Sequence, residues 1–179
     1  TATFVQNDQN AIPVFRLGDS FQLQFDDLYG NEANYYYTIT LCDYDWKPSQ
    51  LSKNEYLNGF DDQRIQDYTN SINTLQIYSH YRIAFPNRLT QLRLSGNYII
   101  KILNDDKEVV FARKFILYEE LVSVPMQVRR ARNVAVVEKK HNIEFSIKSA
   151  IINFQSPLQN VKVMLLQNGK FETAITNIK

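Results

Sequence analysis

The chain has 179 residues, 44% of them hydrophobic, and its 20 Lys and Arg nearly cancel its 19 Asp and Glu. That balance leaves no net field to draw the protein to nucleic acid or anionic lipid, and it excludes both as first partners. The single cysteine, Cys42, excludes an internal disulfide framework and any zinc site built on paired cysteines, while 11 Phe, 11 Tyr and one Trp supply ample apolar surface for a packed core.

No stretch approaches the ~20 apolar residues that a membrane-spanning helix needs, so direct membrane insertion is not expected. The chain opens at Thr1 without a charged-then-apolar leader, an opening compatible with a signal peptide already removed.

Alternation with period two dominates from there on. After the Gly18-Asp19 turn signal, Phe21, Leu23 and Phe25 alternate with Gln22, Gln24 and Asp26, the pattern of a half-buried strand. Tyr35, Tyr37, Ile39 and Leu41 then alternate with Tyr36, Thr38, Thr40 and Cys42, and nearly all are aromatic or β-branched, the types that favour a pleated surface. From Asp43 to Asn70 the periodicity fades, but Trp46, Leu51, Tyr56, Leu57, Phe60, Ile65 and Tyr68 punctuate the polar residues. Such groups need cover from water, so the stretch is expected to be an ordered excursion containing at most a single helical turn.

Strands are expected to resume at Thr74–Tyr78 and Tyr81–Phe85, ahead of the Pro86-Asn87 break, with His80 in a turn packed by rings. A hairpin follows, in which Asn97–Leu103 and Glu108–Tyr118 flank the turn Asn104-Asp-Asp-Lys107. Six or seven short strands without an amphipathic helix predict an all-β chain whose residues 1–121 form an immunoglobulin-like sandwich. Proline interrupts the pattern between Glu119 and Pro125, and the alternation restarts at Ile143, Phe145 and Ile147. Val161, Val163 and Leu165 precede the tight-turn signal Asn168-Gly169, with Phe171–Ile175 returning. Residues 122–179 thus read as the start of a second, truncated β module.

Catalytic chemistry needs an activated nucleophile, tuned carboxylates or a metal. Cys42 has only His80 and His141 as possible bases, and these fall in different expected modules, so an inert thiol is expected. Two histidines do not complete a catalytic zinc site, and neither occurs in a His-x-x-x-His arrangement. Asp43, Asp45, Asp61, Asp62 and Asp67 are oxygen ligands suited to calcium, yet Trp46-Lys-Pro breaks the EF-hand spacing, and solvated or capping carboxylates are expected instead. Arg129, Arg130, Arg132, Lys139 and Lys140 lack a glycine motif or aromatic ladder and read as a solvated strand pair. No catalytic residue, cofactor site or metal site is expected.

Tyr44, Trp46, Tyr56 and Phe60 are the candidate site residues: loop aromatics either pin the loop inward or meet a partner, with Trp46 the foremost anchor in both cases. Partner-binding aromatics also fit a carbohydrate-binding or adhesive module at the cell surface.

Ordered words extend the reading. Cys42-Asp-Tyr-Asp-Trp46, Lys47-Pro-Ser49, Glu55-Tyr-Leu-Asn-Gly-Phe60, Ile65-Gln-Asp-Tyr68, Ser71-Ile-Asn-Thr74, Tyr78-Ser-His-Tyr81, Phe85-Pro-Asn87 and Leu94-Ser-Gly-Asn-Tyr98 follow one another along the chain. This succession resembles the amino-terminal domain of the plug proteins of the Bacteroidetes type IX secretion system, whose members are longer than this chain. The resemblance implies a periplasmic, non-enzymatic protein that meets an outer-membrane β-barrel translocon and occludes its periplasmic mouth when idle. It supplies no active-site residues to carry over.

Overall fold

The computed structural model describes residues 2–4, 12–30, 32–132, 135 and 137–176, and they fall into two compact units. One unit comprises Thr1–Glu119 with Leu166–Ala174; the other comprises Glu120–Leu165 with Ile175–Lys179.

The first unit is a sandwich of two sheets. One sheet orders β1 (Thr3–Phe4), β3 (Phe21–Asp27), β8 (Ser79–Phe85) and β7 (Asp67–Asn70). The other orders β2 (Val14–Arg16), β11 (Val109–Tyr118), β10 (Gly96–Leu103), β4 (Tyr36–Cys42) and β6 (Gln63–Arg64). Lettered along the chain, these are A-B-E-D facing A′-G-F-C-C′, with β2 parallel to β11 and the other pairings antiparallel. This is the strand order of an immunoglobulin-like sandwich. Between β4 and β6 the chain inserts a single helical turn, α1 (Lys53–Tyr56), and the strand β5 (Leu57–Gly59), which pairs with β9 (Thr90–Leu92).

The alternation explains the core. Phe21, Leu23 and Phe25 of β3 and Tyr81, Ile83 and Phe85 of β8 are buried, as are Tyr37, Ile39 and Leu41 of β4 and Tyr98, Ile100 and Ile102 of β10. Because side chains on a strand change face at every residue, each run places its apolar set between the sheets and its polar set outside. Aromatic rings join the layers: Phe15 stacks on Phe21 at 4.5 Å and Phe115 meets Phe21 at 5.2 Å, while Tyr98 stacks on Phe115 at 5.3 Å within one sheet. The Tyr98 hydroxyl donates to the Leu94 carbonyl at 2.8 Å, which closes the tyrosine corner of this architecture at the start of strand F. Burial raises the Tyr98 phenol far above its ordinary range.

Two expectations are corrected. Thr74–Tyr78 forms no strand; the strand lies earlier, at Asp67–Asn70, inside the excursion. Asn73 adopts φ 55°, outside extended conformation, and Leu75 and Ile77 point to solvent with no sheet face to cover them. His80 sits within β8 rather than in a turn, and its Nδ1 lies 2.6 Å from Asp26 on the paired strand β3.

In the second unit, β12 (Met126–Arg130) pairs antiparallel with β13 (His141–Phe145), and α2 (Pro157–Asn160) is a single turn. The apolar alternation there buries little: Val124, Met126, Val128, Ile143, Ile151 and Leu158 are exposed. Paired strands without a covering layer have no second face against which to bury these groups. The strand expected from Val161 begins only at Met164; α2 ends at Asn160, and Val161, Lys162 and Val163 link the two without regular structure. The hairpin of β14 (Met164–Gln167) and β15 (Lys170–Thr176), of which Leu166–Ala174 belongs to the first unit, turns at Asn168-Gly169, both with positive φ, as a type I′ turn requires.

Candidate interaction surface

The four candidate aromatics are close in sequence and dispersed in space. Tyr56 is a core residue, 4% exposed, with its ring edge-on to Tyr98 and its hydroxyl donating to the Ile39 carbonyl at 3.4 Å. Tyr44 and Phe60 point outward. Trp46 closes a tight turn in which its N–H donates to the Asp43 carbonyl at 3.0 Å, and it holds φ 66°. That conformation is disfavoured for a large side chain and persists only where surroundings impose it. Lys114 Nζ sits 4.6 Å over the indole ring, and Phe171, within the same unit, meets it edge-on at 6.0 Å. Among the described residues no ring contact joins any two of the four, so they form no shared platform.

The carboxylates also have separate tasks. Asp61, nearly buried, accepts the Ile39 N–H at 2.9 Å and the Lys53 ammonium at 2.7 Å, which fastens the excursion to β4. Asp62 pairs with Lys107, whose ammonium also lies 3.6 Å over the Tyr36 ring; Asp45 pairs with Lys47, and Asp67 with Arg82. No group of three or more metal-ligating side chains converges among the described residues. Cys42 is buried on β4, and burial raises its thiol above the ordinary value. Of the basic stretch, Arg129 and Arg132 both reach Glu144 on the paired strand side of the second unit.

Three features escape linear reading. The first is an apolar tip, where Leu28, Tyr29, Ile72, Leu75 and Ile77 are exposed on two loops that the Gln76 amide ties together by donating to the Leu28 carbonyl at 2.8 Å.

The second is a cleft of about 350 Å³ lined by Phe25, Asp27, Tyr29, Tyr35 and Phe111 among others. Asp27 is 6% exposed; its Oδ1 accepts the Tyr29 N–H at 3.0 Å, while its buried Oδ2 has no hydrogen-bond partner among the described residues. Burial first, and the Asp27 charge second, push the Tyr35 phenol up to about 12. A buried carboxylate oxygen without a donor costs stability. Asp27→Asn keeps the Oδ1 acceptor and removes the charge that faces Tyr35, so the Tyr35 phenol is expected to titrate below its wild-type value in an NMR-monitored pH titration. An unchanged Tyr35 titration would show that burial alone raises it.

The third is a groove of about 510 Å³, lined by Gln63 to Asp67 and by residues of β8 and the β8–β9 connection. It gathers Arg64, Arg82 and Arg88, which are scattered along the sequence and carry no shared motif. Asn87 braces the connection: its Oδ1 accepts the N–H groups of Leu89 and Thr90, each at 2.9 Å, and its amide donates to the Ala84 carbonyl at 3.1 Å.

The family model for the first domain of the type 9 secretion system plug protein matches residues 1–119. A crystal structure of a hypothetical protein from Parabacteroides merdae ATCC 43184 superposes with TM-score 0.86 at 28% identity over 100% of this chain. The chain spans 46% of that protein's length. No curated protein matches it.

Proposed function

The chain belongs to the plug family of the type 9 secretion system, and we propose on that basis that it is a non-catalytic structural subunit of the secretion machinery. In this reading it resides in the periplasm against the outer-membrane translocon barrel and occludes the barrel's periplasmic mouth when no substrate is in transit. Residues 1–121 would form the body of the subunit, and 122–179 would open its next module.

The family match over residues 1–119 is the observation that carries the proposal. The sandwich agrees with it physically. Occlusion needs a body that keeps its shape against a partner, and the interlocked Phe and Tyr rings between the two sheets provide one. The exposed apolar tip of Leu28, Tyr29, Ile72, Leu75 and Ile77 is of the kind that marks contact surfaces. No helix among the described residues is long and apolar enough to cross a membrane.

Capture of the full-length protein from native membranes is expected to bring down the translocon barrel. Repeated recovery without any barrel, in detergent that keeps the translocon intact, would refute the assignment.

A further inference from the structure

The arginine groove carries an inference about what the subunit holds. Its lining sets three guanidinium groups, on Arg64, Arg82 and Arg88, against one carboxylate, on Asp67. Among the described residues Asp67 engages only Arg82, whose Nε and Nη2 donate to Asp67 Oδ1 at 3.2 and 2.9 Å. The side chains of Arg64 and Arg88 are exposed and have no ion pair or hydrogen bond among the described residues. Guanidinium groups match carboxylates geometrically, and two unpaired ones beside an occupied one leave room for further carboxylates.

The rim adds apolar contact. Leu89 lines the groove and is 44% exposed; beside it Phe60, 71% exposed, is fixed by its N–H donating to the Leu89 carbonyl at 2.7 Å. Arginine next to an exposed aromatic and a leucine is the composition of a protein-binding spot. The Asn87 brace holds Arg88 and Leu89 in place before any partner arrives, which lowers the ordering cost of binding. Single-stranded nucleic acid is the other polyanion a basic groove meets, but it calls for a series of aromatic rings on which successive bases stack; the rim offers the single exposed ring of Phe60, and Tyr37 in the lining is 3% exposed.

We propose that the groove lined by Arg64, Arg82, Arg88 and Leu89 docks an acidic polypeptide segment of a partner protein, with Arg64 and Arg88 taking its carboxylates as Arg82 takes Asp67. The polypeptide nature of the occupant rests on the secretion-subunit reading; the preference for carboxylates rests on the groove alone.

Fluorescence anisotropy of a labelled polyglutamate peptide titrated with the full chain tests it. Saturable binding that weakens with salt is expected, lowered about tenfold or more by the double variant R64E/R88E. Asp67→Asn, which frees Arg82, is expected to tighten binding, a gain that unfolding would not imitate. Lys101→Glu, outside the groove, should leave affinity unchanged. Absence of saturable binding, equal binding of polylysine, tighter binding of oligothymidine, or an equal loss in Lys101→Glu would each overturn the proposal. Co-capture of the translocon reports separately: peptide binding lost with co-capture retained removes the groove alone, and the reverse removes the plug reading.

Discussion

Replacing Phe115 with alanine is expected to lower the unfolding free energy by about 3–5 kcal/mol. Phe115 lies on β11 and is 0% exposed; its ring stacks on Tyr98 at 5.3 Å within its own sheet and meets Phe21 at 5.2 Å and Phe4 at 5.6 Å in the facing sheet. The side chain therefore joins both layers. Its removal leaves a cavity that the neighbours cannot close, because Phe21 is itself held by Phe15 at 4.5 Å and by Phe85 at 5.4 Å. The cost is the lost transfer of the ring from water plus the cavity term, since close-packed rings relax little. Against the roughly 5–15 kcal/mol that typical domains possess, such a loss leaves little margin. Urea unfolding followed by tyrosine fluorescence measures it, with Val110→Ala on the exposed part of β11 as a control expected to stay within about 0.5 kcal/mol. A cost for Phe115→Ala no greater than the control's would show that the two layers are not joined through this ring.

Much of this core is legible in the sequence because a strand writes its buried face into every second residue. Phe21-Leu23-Phe25 and Tyr37-Ile39-Leu41 alternate in the sequence and are buried in the fold, and the Asn104–Lys107 turn joins β10 to β11 as its residues indicate. The missed strand β7 reads Asp-Tyr-Thr-Asn: an edge strand that buries no side chain fully has no alternation to display, and its position comes from pairing with β8. Conversely, the expectation of a strand at Thr74–Tyr78 rests on Leu75 and Ile77 alternating with polar neighbours, although a loop tip turns both to solvent.

The site was less legible for a related reason. Tyr44, Trp46, Tyr56 and Phe60 share one stretch of sequence, but α1 carries Tyr56 into the core while the turns around it send Tyr44 and Phe60 outward. Arg64, Arg82 and Arg88 meet only through tertiary structure, since one stands on an edge strand of one sheet, one on an inner strand of the other, and one in a connecting loop. Ordered words between Cys42 and Tyr98 pointed to the family more directly than any side-chain chemistry did, and the family model covers the same stretch.

Gly59→Ala is expected to be the most damaging single-methyl change outside the core. Gly59 ends β5 at φ 96°, and a Cβ there would stand 2.1 Å from the Leu89 carbonyl oxygen and 2.9 Å from its carbon. Both atoms are backbone, so no side-chain rotation relieves the clash. The same carbonyl accepts the Phe60 N–H at 2.7 Å, and Thr90, whose hydroxyl donates to the Phe60 carbonyl, also bonds the Tyr37 hydroxyl at 2.8 Å. Separating β5 from β9 therefore disturbs the braced connection that carries Arg88 and Leu89 as well as one buried polar link to β4. The left-handed conformation costs alanine about 1–2 kcal/mol, and forcing the strands apart about 1–3 kcal/mol more, for a total near 2–5 kcal/mol. Thermal melting gives the total, and amide exchange localises it: the Phe60 and Arg93 N–H groups, bonded to Leu89 and Tyr56, should lose protection before the β10–β11 ladder does. If Gly59→Ala melts with the wild type and both amides stay protected, the close approach of β5 to Leu89 is not a feature of the folded protein.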